Sequence, residues 1–364
     1  MSRYLSFALA LTGVLSSAVL VSAGAVGCQS NSNSTDSEGG SGGSGGSTTT
    51  TSQGGNGTTT SQGGNGTGGD GTGGAADCNP ATHTIEDITT NVVGPKVPVS
   101  LHGVVAMSTP FLVFDSDTSC LWGVFVSAPG ISETAENSGL LVTSYGDAPT
   151  TGTDGKLHCP TLGVLPTGSL IPDSTVPGDV LDVVGETAYF MPQTCGQNPG
   201  ETSVPQFQLG ANKKACAITK TGTAAVPAPH KLTGADIDAL AAPDDTAFHD
   251  KWGGVKVQIA GTAVLQDMNC AAAAPCLVNK YGEMKLDNGL VIKDKLYYRG
   301  QLKADNLCHD GPKFSDAADL AFTAIAGFST LDYCTWLLNP ADKCADLTPQ
   351  SSDCTAATCP PTVP

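Results

Sequence analysis

One pattern occurs twice in this chain and limits what it can fold into. Val97-Pro98-Val99-Ser100-Leu101-His102-Gly103 and Val255-Lys256-Val257-Gln258-Ile259-Ala260-Gly261 match position for position as Val-x-Val-x-(Leu/Ile)-x-Gly. Alternation with period two is a strand signal, and it places Val97, Val99 and Leu101 on one face. A second pair follows the same logic: residues 180–185 and 322–327 are apolar runs that both end in glycine. The two halves read as copies of one module.

The remaining segments fit that reading. Residues 111–114, 121–126, 139–143 and 207–209 are short apolar runs separated by Gly, Pro, Asp and Ser clusters, which is the all-β signal. In the second copy, residues 283–286 and 290–297 predict a hairpin turning at Asp287-Asn288-Gly289, where Asn-Gly supplies positive φ angles. Residues 335–338 are its closing strand. Between the copies, Thr233 caps a short expected helix, with Asp236 reaching back and Ile237, Leu240 and Ala241 forming its apolar side. A second short helix is expected over 315–320.

The run Pro177-Gly178-Asp179-Val180-Leu181-Asp182-Val183-Val184-Gly185-Glu186 resembles the Gly-Asp-Val-x-x-Val-x-Gly signature of bacterial extracellular OB-fold domains. Such domains often stand in tandem, attached to nucleases and cell-surface proteins. Residues 232–252, entering the strand at Val255, and the ending Trp336-x-Leu338-x-Pro340 with Asp346 are similar to those tandems. The resemblance spans about residues 95–347. It implies an all-β fold of two tandem OB-like five-stranded barrels with short connecting helices, and it implies fold far more than function. No nuclease motif accompanies it.

The N-terminal region carries an address. A weakly positive start, an apolar run over residues 5–21 and the closing Ala25-Val26-Gly27-Cys28 read as an export signal. The last four residues resemble the lipobox of bacterial lipoproteins, which implies lipid on Cys28. A transmembrane helix is the alternative, since the run is nearly long enough; the small-residue exit and polar tail fit a signal better. From Gln29 to Gly74 the chain is nearly all Gly, Ser, Thr, Asn and Gln, with Ser-Gln-Gly-Gly-Asn-Gly-Thr at 52–58 and again at 61–67. That composition cannot bury enough apolar surface to offset its ordering entropy and predicts a disordered tether. Its coil dimension is on the order of 35–40 Å. The expected organisation is signal peptide 1–27, lipidated tether 28–76, first β domain 77–226, helix and second β domain 227–347, and a Cys/Pro-rich tail 348–364. In the lipoproteins that this start resembles, Gln29 rather than Asp after the cysteine is compatible with passage to the outer membrane, so the resemblance implies an outer-membrane lipoprotein, facing either the periplasm or the cell surface.

Charge and cysteines narrow the function classes. The net charge is −17 and the only arginine after residue 28 is Arg299. A nucleic-acid binder normally carries a basic face, so that role is disfavoured, as is electrostatic docking on anionic lipid; the N-terminal lipid is the expected membrane attachment. Of 13 cysteines, setting aside Cys28 leaves an even set: Cys78, Cys120, Cys159, Cys195, Cys216, Cys270, Cys276, Cys308, Cys334, Cys344, Cys354 and Cys359. In an exported chain these read as disulfides. No CxxC pair occurs, so zinc is the weaker reading, and Cys270 and Cys276 suit a small disulfide loop. A boundary anywhere over 217–269 leaves an odd number of paired cysteines on each side. At least one bridge must then cross it, with Cys354 and Cys359 of the tail as expected donors, reaching Cys78.

Candidate sites are few. The six histidines show no HExxH or His-x-His spacing. His249 with Asp244, Asp245 and Asp250 is the densest polar cluster, readable as a cation site or as a solvated loop, with the loop preferred. Asp115-Ser116-Asp117 is expected to be turn chemistry. No Gly-x-Ser-x-Gly elbow exists, and a Ser-His-Asp triad, whose members meet only in space, is not legible from sequence. The binding candidates are aromatic: Trp122 and Phe125 in the first copy, Tyr297, Tyr298 and Arg299 in the second. OB barrels stack rings on such faces; the alternative is that Trp122 and Tyr297 fill their own barrels, which is the preferred reading for Trp122, and that Arg299 is a buried ion-pair partner. No cofactor and no metal are implied. The expected role is non-enzymatic binding of a protein or glycan partner. The alternatives are a nuclease accessory that grips single-stranded nucleic acid and a hydrolase with an unrecognised site.

Overall fold

The repeated Val-x-Val pattern forms strands in both copies, but the glycine that ends it does not end the strand. A computed structural model describes residues 80–163, 165–191, 195–196, 201–211, 218–264, 283–293, 296, 321–342 and 344–349, all within one compact unit over 69–364. The first copy opens with α1 (Ile85–Thr89), then β1 (Pro98–Ala106), β2 (Phe111–Ser116), β3 (Ser119–Ser127), β4 (Gly139–Tyr145), β5 (Thr150–Thr151), β6 (Leu157–His158), β7 (Asp179–Phe190), β8 (Gln206–Ala211) and β9 (Thr219–Thr223). Val97 lies just outside β1 and is partly exposed, whereas Val99 and Leu101 are buried. At Gly103 (φ +69°) the pairing of β1 with β7 slips between Leu101 and Val104. That bulge lets β1 continue past the glycine and turn Val104 back into the core.

Five strands of this sheet close a ring of pairings in the order β1-β3-β4-β8-β7 and back to β1, with β4 and β8 parallel and the other contacts antiparallel. Inside the ring sit Val99, Leu101, Trp122, Val124, Val142, Leu181, Val183 and Leu209. The short run at 207–209 is the strand that closes it.

The second copy contains β10 (His230–Leu232), α2 (Gly234–Ala241), α3 (Thr246–Trp252), β11 (Lys256–Val264), β12 (Glu283–Lys285), β13 (Val291–Lys293), β14 (Ala321–Asp332), β15 (Thr335–Asn339) and β16 (Leu347–Thr348). Its strands run β11-β14-β15-β13-β12, with β13 and β15 parallel. That is the same strand order as in the first sheet, but among the described residues no pairing of β12 with β11 closes it. Registers correspond residue by residue: Val99 faces Gly185 and Leu101 faces Val183, while Val257 faces Gly327 and Ile259 faces Ile325. The glycines at 185 and 327 admit the next strand. A Cβ at Gly185 would lie 2.8 Å from Leu209 Cγ, and one at Gly327 2.8 Å from Leu338 Cγ. The bulge recurs as well, between Ala260 and Ala263, around Gly261 (φ +112°).

The helix between the copies is part of the repeat. Asp236 accepts from both Thr233 N and Thr233 Oγ1, and Leu240 is buried. The first copy has its counterpart: Thr84 caps α1, with Thr84 Oγ1 accepting from Asp87 N and Asp87 accepting from Thr84 N. The segments leading into both helices pair in parallel with the first strand, Thr82 beside Ser100 and Lys231 beside Gln258. The helix expected at 315–320 lies outside the described residues. The hairpin at 287–289 forms with a correction: only Gly289 (φ +90°) takes a positive φ, and Asn288 instead accepts from Leu290 N through its side chain.

The copies are fastened to each other. Phe125 of β3 stacks on Phe328 of β14 with ring centroids 4.2 Å apart. Thr134 Oγ1 accepts from His230 N and donates to Lys256 O. The buried Gln206 side chain accepts from Thr330 Oγ1 and Leu331 N. Gly139 and Gly254 pass backbone to backbone, so that a Cβ on Gly139 would lie 2.5 Å from Gly254 O. A disulfide joins Cys195 to Cys334. It is a crossing bridge of the kind parity demands, and it runs from the β7–β8 connection to the β14–β15 turn; the bridge expected from Cys354 or Cys359 to Cys78 lies outside the described residues. Cys120 pairs with Cys159 within the first copy, and Cys344 is also disulfide-bonded. The other seven cysteines of the set, and Cys28, lie outside the described residues.

Candidate functional site

Two of the aromatic candidates are spoken for by packing. Trp122 points into the first ring and is fully buried. Phe125 points out of that ring, but Phe111 and Phe328 cover it on both sides at 5.5 and 4.2 Å. Neither ring offers a face to a ligand, because the second copy occupies the part of the sheet on which Phe125 stands. Tyr297, Tyr298 and Arg299 lie outside the described residues.

The polar clusters resolve into structure. His249 is buried, stacks on Trp336 at 4.4 Å and 4° between planes, and places Nε2 2.7 Å from Ala242 O. Burial holds its pKa below the ordinary histidine value, against the opposing pull of that hydrogen bond and of Asp245 and Asp244. Asp245 caps α3, and Asp244 accepts from Ser203 N and Oγ. Burial alone raises the pKa of Asp250. Among the described residues no group of three or more His, Cys, Asp or Glu side chains is arranged to hold a metal ion. At 115–117, Ser116 Oγ accepts from the backbone N of Thr118 and Ser119, which is turn chemistry.

The exposed apolar surface lies elsewhere on the same sheet. Phe114 on β2 pairs with Leu121 on β3, and Leu121 pairs with Tyr145 on β4. Directly opposed residues share a face, so the three side chains form one row across three strands. The row faces away from the core, since the adjacent Trp122 points inward. Phe114 is 55% and Tyr145 47% exposed. Two strand spacings separate the two rings, about 10 Å. On this face the neighbouring pair is Ser116 and Ser119, whose hydroxyls lie 3.0 Å apart. Asp115, Asp117 and Asp147 stand close by in sequence. In the other direction the outer face continues through Gly123 to Phe111, Phe125 and Leu141, which the second copy covers.

Sequence reasoning missed this row because Phe114 is the last residue of the apolar run 111–114, before the polar end of β2, and Tyr145 is the last residue of β4. The pattern that could have found them is the alternation itself: with Trp122 facing in, Leu121 and its partners must face out. No protein-family model, characterised protein or solved structure matches the chain.

Proposed function

We propose that this chain is a membrane-anchored binding protein whose row Phe114–Leu121–Tyr145 stacks against a neutral glycan. The observation that carries the reading is the row: two exposed rings flanking a leucine on a sheet stiffened by β3–β4 pairing and by the Cys120–Cys159 bridge. Aromatic faces receive the apolar faces of sugar rings, and hydroxyls beside them fix orientation. Ser116 and Ser119 are placed for that. A spacing of about 10 Å between rings suits two sugars of one chain separated by a third. The nearby carboxylates accept from sugar hydroxyls and repel anionic polymers, so nucleic acid is the poorer ligand.

The rest of the proposal concerns presentation. The first ring is read as an OB-type barrel, supported by its cyclic strand order and its single parallel pair β4–β8; the second copy follows the same order. Lipid on Cys28 and the 29–74 tether would hold the body away from the outer membrane.

The test uses the oxidised protein from residue 76 onward on a glycan array, with labelled single-stranded oligonucleotides in parallel. Expected is binding to neutral glycans that weakens at least tenfold in Phe114→Ala and in Tyr145→Ala. Glycan binding indifferent to both substitutions, no glycan binding at all, or salt-sensitive oligonucleotide binding would overturn the reading.

A further inference from the structure

The outer face of β1 carries a hydrogen-bonded chain of side chains that the aromatic row does not use. Ser100 and His102 are two residues apart and share the face opposite Leu101. Asp182 joins them from β7, where the β1 bulge opens the pairing. Ser100 Oγ lies 3.0 Å from His102 Nε2, and His102 Nδ1 lies 3.2 Å from Asp182 Oδ2. The second Asp182 oxygen accepts from Gly103 N at 2.8 Å. That amide, with help from His102, holds the Asp182 carboxyl below its ordinary pKa despite its partial burial. An ionised Asp182 keeps the imidazole proton on Nδ1, which leaves the Nε2 lone pair aimed at the serine hydroxyl.

The second copy is an internal control. By register, Gln258, Ala260 and Ala324 stand where Ser100, His102 and Asp182 stand in the first. The same strand pair and the same bulge form there without the three side chains. The chain of Ser, His and Asp is therefore not required to build this part of the fold.

We infer that Ser100 is an activated nucleophile, with His102 as its base and Asp182 as the residue that positions the base, and that it takes acyl or phosphonyl groups from activated donors. Ser100 Oγ attacks the electrophilic carbon or phosphorus while its proton passes to His102 Nε2. The bond to the leaving group breaks with its electron pair, and His102 returns the proton to that group when it is an alkoxide or phenolate; when fluoride leaves as the anion, His102 gives the proton to water. The product is a serine ester. Two features set its rate. Ser100 N donates to Ala81 O and Gly103 N donates to Asp182, so neither amide is available to a developing oxyanion; one missing donor of that kind costs about 10²–10³ in rate. Ser100 is only 4% exposed while the His102 side chain is 56% exposed, so a small donor must enter from the imidazole side. Single acylation rather than fast turnover follows, and this agrees with a chain whose main role is binding. The inference stands whether or not the aromatic row binds glycan.

The test is labelling of the oxidised native protein by a small fluorophosphonate, which loses fluoride as the phosphonyl group is transferred to oxygen. Intact mass and peptide mapping read the outcome. One adduct is expected, on Ser100, absent in Ser100→Ala. Asp182→Asn, which keeps an oxygen for Gly103 N but no charge, should slow labelling at least tenfold, as should His102→Ala. Near-ultraviolet circular dichroism checks that each variant folds. No adduct, an adduct that survives Ser100→Ala, or a rate unchanged by Asp182→Asn in folded protein would overturn the assignment.

Discussion

The two copies build the same strands in the same register and spend their outward positions differently. Where β7 has Glu186, exposed, β14 has Phe328, buried against Phe125. Where β1 carries Ser100 and His102, β11 carries Gln258 and Ala260. The inward positions hardly change: Val99 and Val257, Leu101 and Ile259, Val183 and Ile325 all face the core. The lesson is a division of labour. Core residues and two glycines per copy specify the backbone, and the outer face is free to become a joint, an aromatic shelf or a polar chain.

The sharpest way to break this comparison is to truncate one register position in both copies. Phe328→Ala should cost about 3–5 kcal/mol, because it empties a packed site and removes the stack on Phe125. Glu186→Ala should stay within about 0.5 kcal/mol. Urea unfolding followed by tryptophan fluorescence measures both, and similar losses would show that the copies are not specialised as described.

The two bridges make a second comparison. Cys195–Cys334 closes a separation of 139 residues and Cys120–Cys159 one of 39. By chain entropy the longer closure should stabilise more, by about 1 kcal/mol. Paired Cys→Ser variants, compared by thermal unfolding under oxidising conditions, check the order; equal losses would place the difference in native packing rather than in the unfolded chain.

The bulge glycines should also separate. A Cβ at Gly103 would meet only Pro129 Cβ at 3.9 Å, and one at Gly261 nothing within 4 Å, so the cost of alanine is conformational at both. Gly103 lies near the left-handed helical basin and Gly261 at φ +112° lies beyond it. Gly103→Ala should therefore cost about 1 kcal/mol and Gly261→Ala about 2 kcal/mol. Reversal of that order would mean that the second bulge relaxes where the first cannot.

The smallest effect is set by pH and belongs to the second copy. His249 has a folded pKa below its unfolded value of 6.5. Above that value both states are neutral and the group contributes nothing. As pH falls below it the unfolded chain takes up the proton first, so stability declines until the folded value is passed. Unfolding near pH 7 and near pH 5 should differ less in His249→Phe than in the parent; an unchanged difference would assign the acid sensitivity to other groups.

Much of the backbone was legible in the residues. Val-x-Val-x-(Leu/Ile)-x-Gly located β1 and β11, the echo at 180–185 and 322–327 located their partners, and Thr233 with Asp236 located α2. The matching cap at Thr84 and Asp87 was equally present in the sequence. It escaped notice because α1 is only five residues long and lacks a periodic apolar stripe. Odd cysteine counts on each side of the boundary required a crossing bridge but could not choose Cys195 and Cys334, since pairing depends on which loops meet.

Phe114 and Leu121 were readable in two apolar runs, Tyr145 stood two residues past the run at 139–143, and the meeting of the three was not legible, because register across a sheet is set by pairing partners far apart in sequence. The same holds for Ser100, His102 and Asp182, which span 82 positions of numbering and touch only because β1 bulges beside β7. Phe125 shows the limit most plainly. The sequence places it on a strand of the first copy as a candidate binding aromatic, and with Trp122 facing in, alternation turns Phe125 outward. Only the tertiary structure decided that Phe328 would lie on top of it, because local alternation sets which way a side chain points and the packing of the whole chain sets what it finds there.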